Sequence, residues 1–397
     1  MKKVILSTMI ISSSLLSFGQ SAIKYPATKK IDKVDVYFGN SIPDPFRWLE
    51  DDRSAETAEW VKEQNKVTFD YLAAIPFRNT IKARMEKLWN YEKVSAPFKE
   101  GDYTYYYKNN GLQNQSVMYR KDAKGTEELF LDPNTFSKDA TTSLDGVSFS
   151  KDGSLVAYSI SEAGSDWRKV IFIDAKTKQS IGEPLVDVKF SGLSWKGNEG
   201  IFYSSYEKPK GSELSAKTDQ HRLFFHKLGT KQAEDAILFG DQEKRRYVGG
   251  YVSDDNRYLF ISAANSTSGN ELYLKYLSVP NSPIVAIHKG FEYDVDVLDN
   301  IGTTLFIVTN LKAPNKRIVT VDVANPGVEN WKDLIPETEQ VLNPSTGAGY
   351  IFANYMKDAV SVVKQFDYKG KLIRTIALPG VGTASGFGGK AKDKELY

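Results

Sequence analysis

The sequence predicts a mainly β chain: a β-propeller with an incomplete last blade, preceded by a short helical segment. Three observations carry that prediction. Helical periodicity is confined to residues before Pro97, and everything beyond it reads as short strands. Tight turns recur through the strand region about 45 to 58 residues apart. The seventh turn falls at Lys392-Asp393, and the sequence stops at Tyr397, so seven blades are expected with the last cut short. A repeat of about 40 to 50 residues built only from strands is a propeller signature. Each blade must stack on its neighbours to bury its faces.

The first 19 residues read as an address. Met1-Lys2-Lys3 is a short basic region, residues 4–18 are apolar apart from Ser and Thr, and Ser17 and Gly19 suit cleavage after Gly19. That is the layout of a secretory signal peptide, and the apolar run falls short of the ~20 residues a spanning helix needs. The mature protein is therefore expected to be exported, periplasmic or secreted, with no membrane attachment after cleavage.

Residues 20–97 form the helical segment. Ser54 is placed to cap a helix whose first turns carry Glu56 and Glu59, near the positive end of its dipole. Trp60, Val61, Val67, Thr68, Tyr71 and Leu72 share one face of it, and Pro76 breaks it. Ile81, Met85, Leu88 and Trp89 repeat the helical spacing in a second stretch.

Residues 98–397 form the propeller. Runs such as 103–107, 116–120, 155–160, 169–174, 258–262, 271–274, 304–308 and 317–321 are short, rich in β-branched and aromatic residues, and bounded by turns. The turns lie at Gly101-Asp102, Asp152-Gly153, Gly197-Asn198, Asp255-Asn256, Asn300 to Gly302, Gly347 to Gly349 and Lys392-Asp393. An unfinished blade leaves an open strand edge, so the sequence reads as the front part of a longer protein.

Composition narrows the chemistry. The 52 Lys+Arg nearly balance 50 Asp+Glu, giving a net charge of +2 with no long basic run, so no nucleic-acid partner is expected. No Cys occurs, which removes disulfides, thiolate metal sites and cysteine nucleophiles. Only three His are present, and no metal or organic cofactor is expected. His221 and His226 are five apart on a strand and point to opposite faces, so they cannot share one ion; ordinary strand histidines are expected. The glycine-rich residues 380–386 lack Rossmann spacing and read as a connecting loop. The tyrosine run 103–107 reads as blade packing, and Lys244-Arg245-Arg246 as a solvated loop.

Several motifs in order resemble the prolyl oligopeptidase family of serine peptidases. Asp44-Pro45-Phe46-Arg47-Trp48-Leu49-Glu50-Asp51 is similar to the N-terminal motif shared with the oligopeptidase B relatives. Asn110-Gly111-Leu112-Gln113-Asn114-Gln115, Phe130-Leu131-Asp132-Pro133-Asn134, Gly164-Ser165-Asp166-Trp167, Val188-Lys189-Phe190-Ser191 and Pro314-Asn315 ahead of Arg317 favour the prolyl branch. The resemblance implies that the helical segment belongs to an α/β-hydrolase domain otherwise missing from the chain. It implies a seven-bladed propeller that screens substrates, and a whole enzyme that cleaves short proline-containing peptides after Pro. A monomer is expected.

The same resemblance places the catalytic Ser, Asp and His beyond the propeller. No Gly-x-Ser-x-Gly nucleophile elbow occurs in the chain, so no catalytic residue is assigned and the chain alone is expected to be inactive. Phe190 matches a family position that offers the substrate an aromatic wall; the alternative is a Phe of the blade core. Asp166 matches a loop near the domain interface, where it would pair with an Arg of the hydrolase; the alternative is a turn-forming Asp. Arg47 and Trp48 match anchors of the helical piece against the hydrolase core. Two other readings stay open: a stand-alone secreted binding propeller, and a peptidase of oligopeptidase B-like or dipeptidyl-peptidase-like specificity.

Overall fold

Ser54 caps the first helix as its position predicts. Its hydroxyl accepts a bond from the Thr57 backbone N–H at 3.0 Å, and Glu56 lies in the first turn of α1 (Ala55–Ala73). The second helix, α2 (Arg78–Trp89), follows at once. The computed structural model describes residues 23–209 and 218–397, so the expected signal segment, residues 1–19, lies outside the described residues. Among the described residues no helix is long and apolar enough to cross a membrane.

The chain divides between Met85 and Glu86 into two compact units. In the first, a hairpin pairs Val34–Tyr37 with Asn40–Pro43. Its turn residues Phe38 and Gly39 both have positive φ, +50° and +81°, the geometry that matches the twist of two-residue hairpins. Trp48 Nε1–H donates to the Lys29 carbonyl at 2.9 Å and Trp60 Nε1–H to Thr28 Oγ1 at 3.0 Å, tying the extended lead to the helical part. Trp60, Val67 and Leu72 of the predicted α1 face are partly covered. Phe69 and Tyr71 on α1, and Ile81 and Met85 on α2, are exposed.

The second unit holds six antiparallel sheets, five of four strands and one of five. Blade 1 contains Phe98–Glu100, Tyr103–Asn109, Val117–Lys121 and Glu127–Leu131, with the short Lys93–Val94 strand also paired to Tyr103–Asn109. Blade 2 runs Thr142–Phe149, Leu155–Glu162, Trp167–Asp174 and Leu185–Lys189. Blade 3 runs Ser194–Lys196, Gly200–Ser205, Arg222–Lys227 and Ala236–Phe239, and blade 4 Tyr247–Val252, Tyr258–Ala264, Glu271–Tyr276 and Ile284–His288. Blade 5 runs Val295–Ile301, Thr304–Thr309, Arg317–Asp322 and Lys332–Ile335, and blade 6 Leu342–Gly347, Tyr350–Lys357, Val360–Phe366 and Leu372–Thr375.

First strands of successive blades lie side by side. Trp195 Nε1–H donates to the Ser148 carbonyl at 3.1 Å, Val252 N–H to Ser194 Oγ at 2.8 Å, and Tyr251 O–H to the Val297 carbonyl at 3.1 Å. The apolar core is split into clusters that each join adjoining blades, such as Phe172, Leu185 and Val188 with Trp195 and Ile201. In the tyrosine run, Tyr105 packs on Phe130 and Phe149 while Tyr106 stacks on Tyr119.

The expected seven-bladed count is corrected to six sheets. Residues after Thr375 form no strand among the described residues: their bonds to blade 6 are scattered, such as Ile376 N–H to the Val363 carbonyl at 2.8 Å and Asn354 Nδ2–H to the Ala384 carbonyl at 2.9 Å, and do not build a continuous ladder. The predicted turn at Lys392-Asp393 is present in irregular chain. That segment nevertheless sits between blades 6 and 1: Gly389 N–H donates to the Thr346 carbonyl at 2.9 Å, and Lys390 pairs with Glu100. Lys244-Arg245-Arg246 is a loop in which Lys244 and Arg246 are exposed, and only Arg245 departs from the expected solvated run. Arg245 lies close to the largely buried Glu271, with Nε donating to its carboxylate at 2.7 Å.

Candidate functional site

The motifs containing Asp166 and Phe190 are distant in sequence and adjacent in space. They meet because the third and fourth strands of blade 2 pair with Trp167 opposite Lys189. The ladder slips between Arg168 and Val170, and Asp187 takes a positive φ of +55°. This irregularity lets Leu185 and Val188 both face the core although they are three apart. Lys189 then faces away from Val188, and the chain turns at Phe190.

Phe190 is 51% exposed and has φ +54°. An aromatic residue in the left-handed region is held there by its surroundings. Its ring meets Tyr206 edge-on at 6.2 Å and lies 6.3 Å from Tyr247. Its exposure places the ring outside the buried blade core. Asp166 and Phe190 both line a cleft of about 250 Å³, with Asp145, Ser159, Arg168 and Ser191 supplying polar groups. Arg168 pairs with Asp145 at 3.1 Å, and Ser159 O–H donates to the same carboxylate at 3.2 Å.

Behind the cleft stands a cationic and aromatic layer. Lys189 is buried, its ammonium 4.9 Å from the Trp167 ring and 5.1 Å from the Phe190 ring. Ring faces carry negative charge that favours such a cation. His221 precedes its strand and is fully buried; its Nε2–H donates to the Lys189 carbonyl, and its Nδ1 accepts from Val248 N–H, each at 2.9 Å. Burial pushes this imidazole down to about 4, against the opposing pull of the Lys189 carbonyl, so it is neutral near pH 7. Burial also pushes the Tyr206 phenol up to about 12.

The other residues singled out by sequence lie elsewhere. Arg47 and Trp48 belong to the N-terminal unit, where Arg47 pairs with Asp44 at 2.6 Å and with Asp35. These bonds, to Asp44 first, hold the guanidinium above its ordinary value. His226 Nδ1 faces Asp235 at 2.9 Å, and its ring stacks on Phe172, well apart in bonding from His221. Arg168, Asp145, Tyr206 and Tyr247 were not read from sequence, since only the tertiary pairing brings them to the cleft. Lys189 lies inside the Val188-Lys189-Phe190-Ser191 motif, while nothing local distinguishes His221 from an ordinary strand histidine.

The cleft can bind and orient a ligand with an apolar wall, a carboxylate and a guanidinium. Neither lining serine is bonded to a histidine among the described residues: Ser159 donates to Asp145, and Ser191 accepts from Ser204 N–H at 2.7 Å.

Residues 26–397 match the family model described as prolyl oligopeptidase, N-terminal beta-propeller domain. The chain is 57% identical over 379 residues to a prolyl endopeptidase of Elizabethkingia meningoseptica, covering 95% of this chain and 54% of that one. It is 58% identical over 379 residues to a prolyl endopeptidase of Elizabethkingia miricola, with the same 95% and 54% coverage. The chain thus spans about half the length of the curated relatives it matches. A solved structure from a study of two prolyl endopeptidases aligns with TM-score 0.71 at 34% identity, over 94% of this chain and 55% of that one. Prolyl oligopeptidase B from Galerina marginata, solved with a 35mer hydrolysis and macrocyclization substrate, aligns with TM-score 0.81 at 25% identity, over 94% and 56%.

Proposed function

The chain belongs to the prolyl oligopeptidase family, and from that membership we propose that it is the helical segment and propeller of an exported prolyl endopeptidase. The whole enzyme cleaves short peptides on the carboxyl side of Pro. Its Ser, His and Asp, supplied by a hydrolase domain outside this chain, perform acyl transfer with an oxyanion hole. The propeller limits which peptides reach them, and Phe190 forms one wall of the peptide path. Asp166 lies at the domain interface, Arg47 and Trp48 anchor the helical segment to the hydrolase, and the enzyme works as a monomer. The chain alone is inactive.

The observation that carries the reading is the family match over residues 26–397, and the cleft of blade 2, where Asp166 and the half-exposed Phe190 line one surface, supports the assignment of the wall. A rigid apolar ring suits an extended peptide. The exposed apolar residues of α1 and α2, including Phe69, Ile81 and Met85, support a further domain as their cover.

The test compares the chain with the full-length product on a chromogenic Gly-Pro substrate and its Gly-Lys counterpart. Only the full-length protein should turn over Gly-Pro, with little activity on Gly-Lys. Hydrolysis by the 397-residue chain alone, or a full-length preference for Lys, would overturn the proposal.

A further inference from the structure

We infer that His221 is a positioning residue for Phe190, fixing the aromatic wall at the cleft through both its backbone and its side chain. The inference rests on the reading of Phe190 as a substrate-facing wall. Two independent sets of contacts lead from the same imidazole to that ring. Through the backbone, His221 Nε2–H holds the carbonyl of Lys189, the residue immediately before Phe190, at 2.9 Å. Through the side chain, the His221 ring stacks on Tyr206 at 4.2 Å, and Tyr206 meets Phe190 edge-on.

The far side of the imidazole completes the arrangement. Nδ1 accepts from Val248 N–H at 2.9 Å, which fixes the strand carrying Tyr247, the second ring against Phe190. The two nitrogens therefore have opposite roles, one donor and one acceptor, and the two bonds together select a single neutral tautomer. His221 joins the end of blade 2, the start of the third strand of blade 3 and the first strand of blade 4. Phe190 needs such support, because φ +54° is a conformation an aromatic residue does not keep by itself.

The two nitrogens can be tested separately. His221→Gln places an amide near the ε position and preserves a donor toward the Lys189 carbonyl. His221→Asn places its amide nearer the δ position and preserves an acceptor toward Val248 N–H. His221→Phe removes both. Kinetics are read in the full-length protein with two substrates: a minimal Gly-Pro anilide, and a longer peptide with apolar residues ahead of Pro that reach the wall. Phe190→Ala is run beside them.

His221→Phe and His221→Asn should raise KM for the long peptide about fivefold or more, leaving kcat and the minimal substrate nearly unchanged. His221→Gln should recover part of that loss, leaving KM about two- to threefold above the parent, because it keeps the donor to Lys189 but not the ring against Tyr206. Hydrogen exchange on the chain gives a second readout that needs no activity: amides of residues 188–193 should exchange faster in the Asn variant than in the Gln variant. If His221→Phe does not fold, the Gln and Asn variants still decide the question. Equal losses on both substrates, or Gln and Asn variants that behave alike in kinetics and exchange, would overturn the inference while Phe190→Ala still impairs the long peptide. A silent Phe190→Ala would instead remove the reading of the wall, and with it the inference.

Discussion

A buried charge and a buried imidazole show how single residues hold blades together. Arg120 has a side chain 2% exposed, stacked over Tyr103 at 4.0 Å. Its Nε donates to Glu128 at 2.7 Å, while its Nη2 reaches across to the Lys176 carbonyl of blade 2 at 3.1 Å. Arg120→Ala should cost about 3 kcal/mol, because the acceptors it leaves are partly buried. Arg120→Lys should recover less than half, since a point charge cannot serve the fork. Urea denaturation checks both. His221 gives a pH signature of definite sign. Its folded value near 4 lies below the unfolded value near 6.5, so only the unfolded chain takes up a proton between them. The contribution is therefore complete above pH 6.5 and is lost as pH falls toward 4, about 2 to 3 kcal/mol by pH 4.5. Subtracting the stability curve of His221→Gln from that of the parent isolates this share from the carboxylates and from His288, which burial also lowers.

At the scale of the element, the turns between the first and second strands of the blades touch one another in succession. Asn198 Nδ2–H donates to Asp152 at 2.7 Å, and Asn300 Nδ2–H to Asp255 at 2.8 Å. Gly153 has φ +74°, and a Cβ there would lie 2.3 Å from the Gly101 backbone nitrogen in the neighbouring blade. Gly125 has φ +83° but opens onto space. Gly125→Ala should cost about 1 kcal/mol from backbone strain, and Gly153→Ala about 2 to 4 kcal/mol because two backbones must also separate. The turns at Asp152-Gly153 and Asp255-Asn256 were legible in sequence because Asp-Gly and Asp-Asn pairs determine a turn locally. The Ser54 cap was legible for the same reason. The cleft was half legible: Asp166 and Phe190 sat in motifs, but their meeting depends on the Trp167–Lys189 register. Tyr206, Tyr247 and the role of His221 were not legible, since each acts through contacts across blades. Arg245 read as part of a solvated charge run, because nothing local announces that Glu271 lies beneath it.

The whole propeller depends on how its stack of blades is closed. Each blade bonds mainly to the next, so a local defect should weaken its neighbours more than the rest. The segment after Thr375 links blade 6 to blade 1 without a strand ladder. Its Gly389 N–H and Lys390 carbonyl bond to Thr346 and Ala348, the Gly382 carbonyl accepts from Ser361 N–H at 2.9 Å, and Phe387 stacks on Phe352 at 5.5 Å. Lys390 then reaches Glu100 in blade 1. Counting each backbone bond at about 1 kcal/mol, deletion of residues 376–397 should lower stability by about 3 to 5 kcal/mol. The loss should also be uneven. Amides in blades 1 and 6 should exchange faster by hydrogen–deuterium exchange, while those of blades 3 and 4, two or more interfaces away, keep most of their protection. The ion pair contributes little of this, because Lys390 is partly exposed, so Lys390→Met should reproduce only a small part of the deletion. Uniform loss of protection through all six sheets would mean that the propeller opens as one unit and that closure is a property of the entire ring.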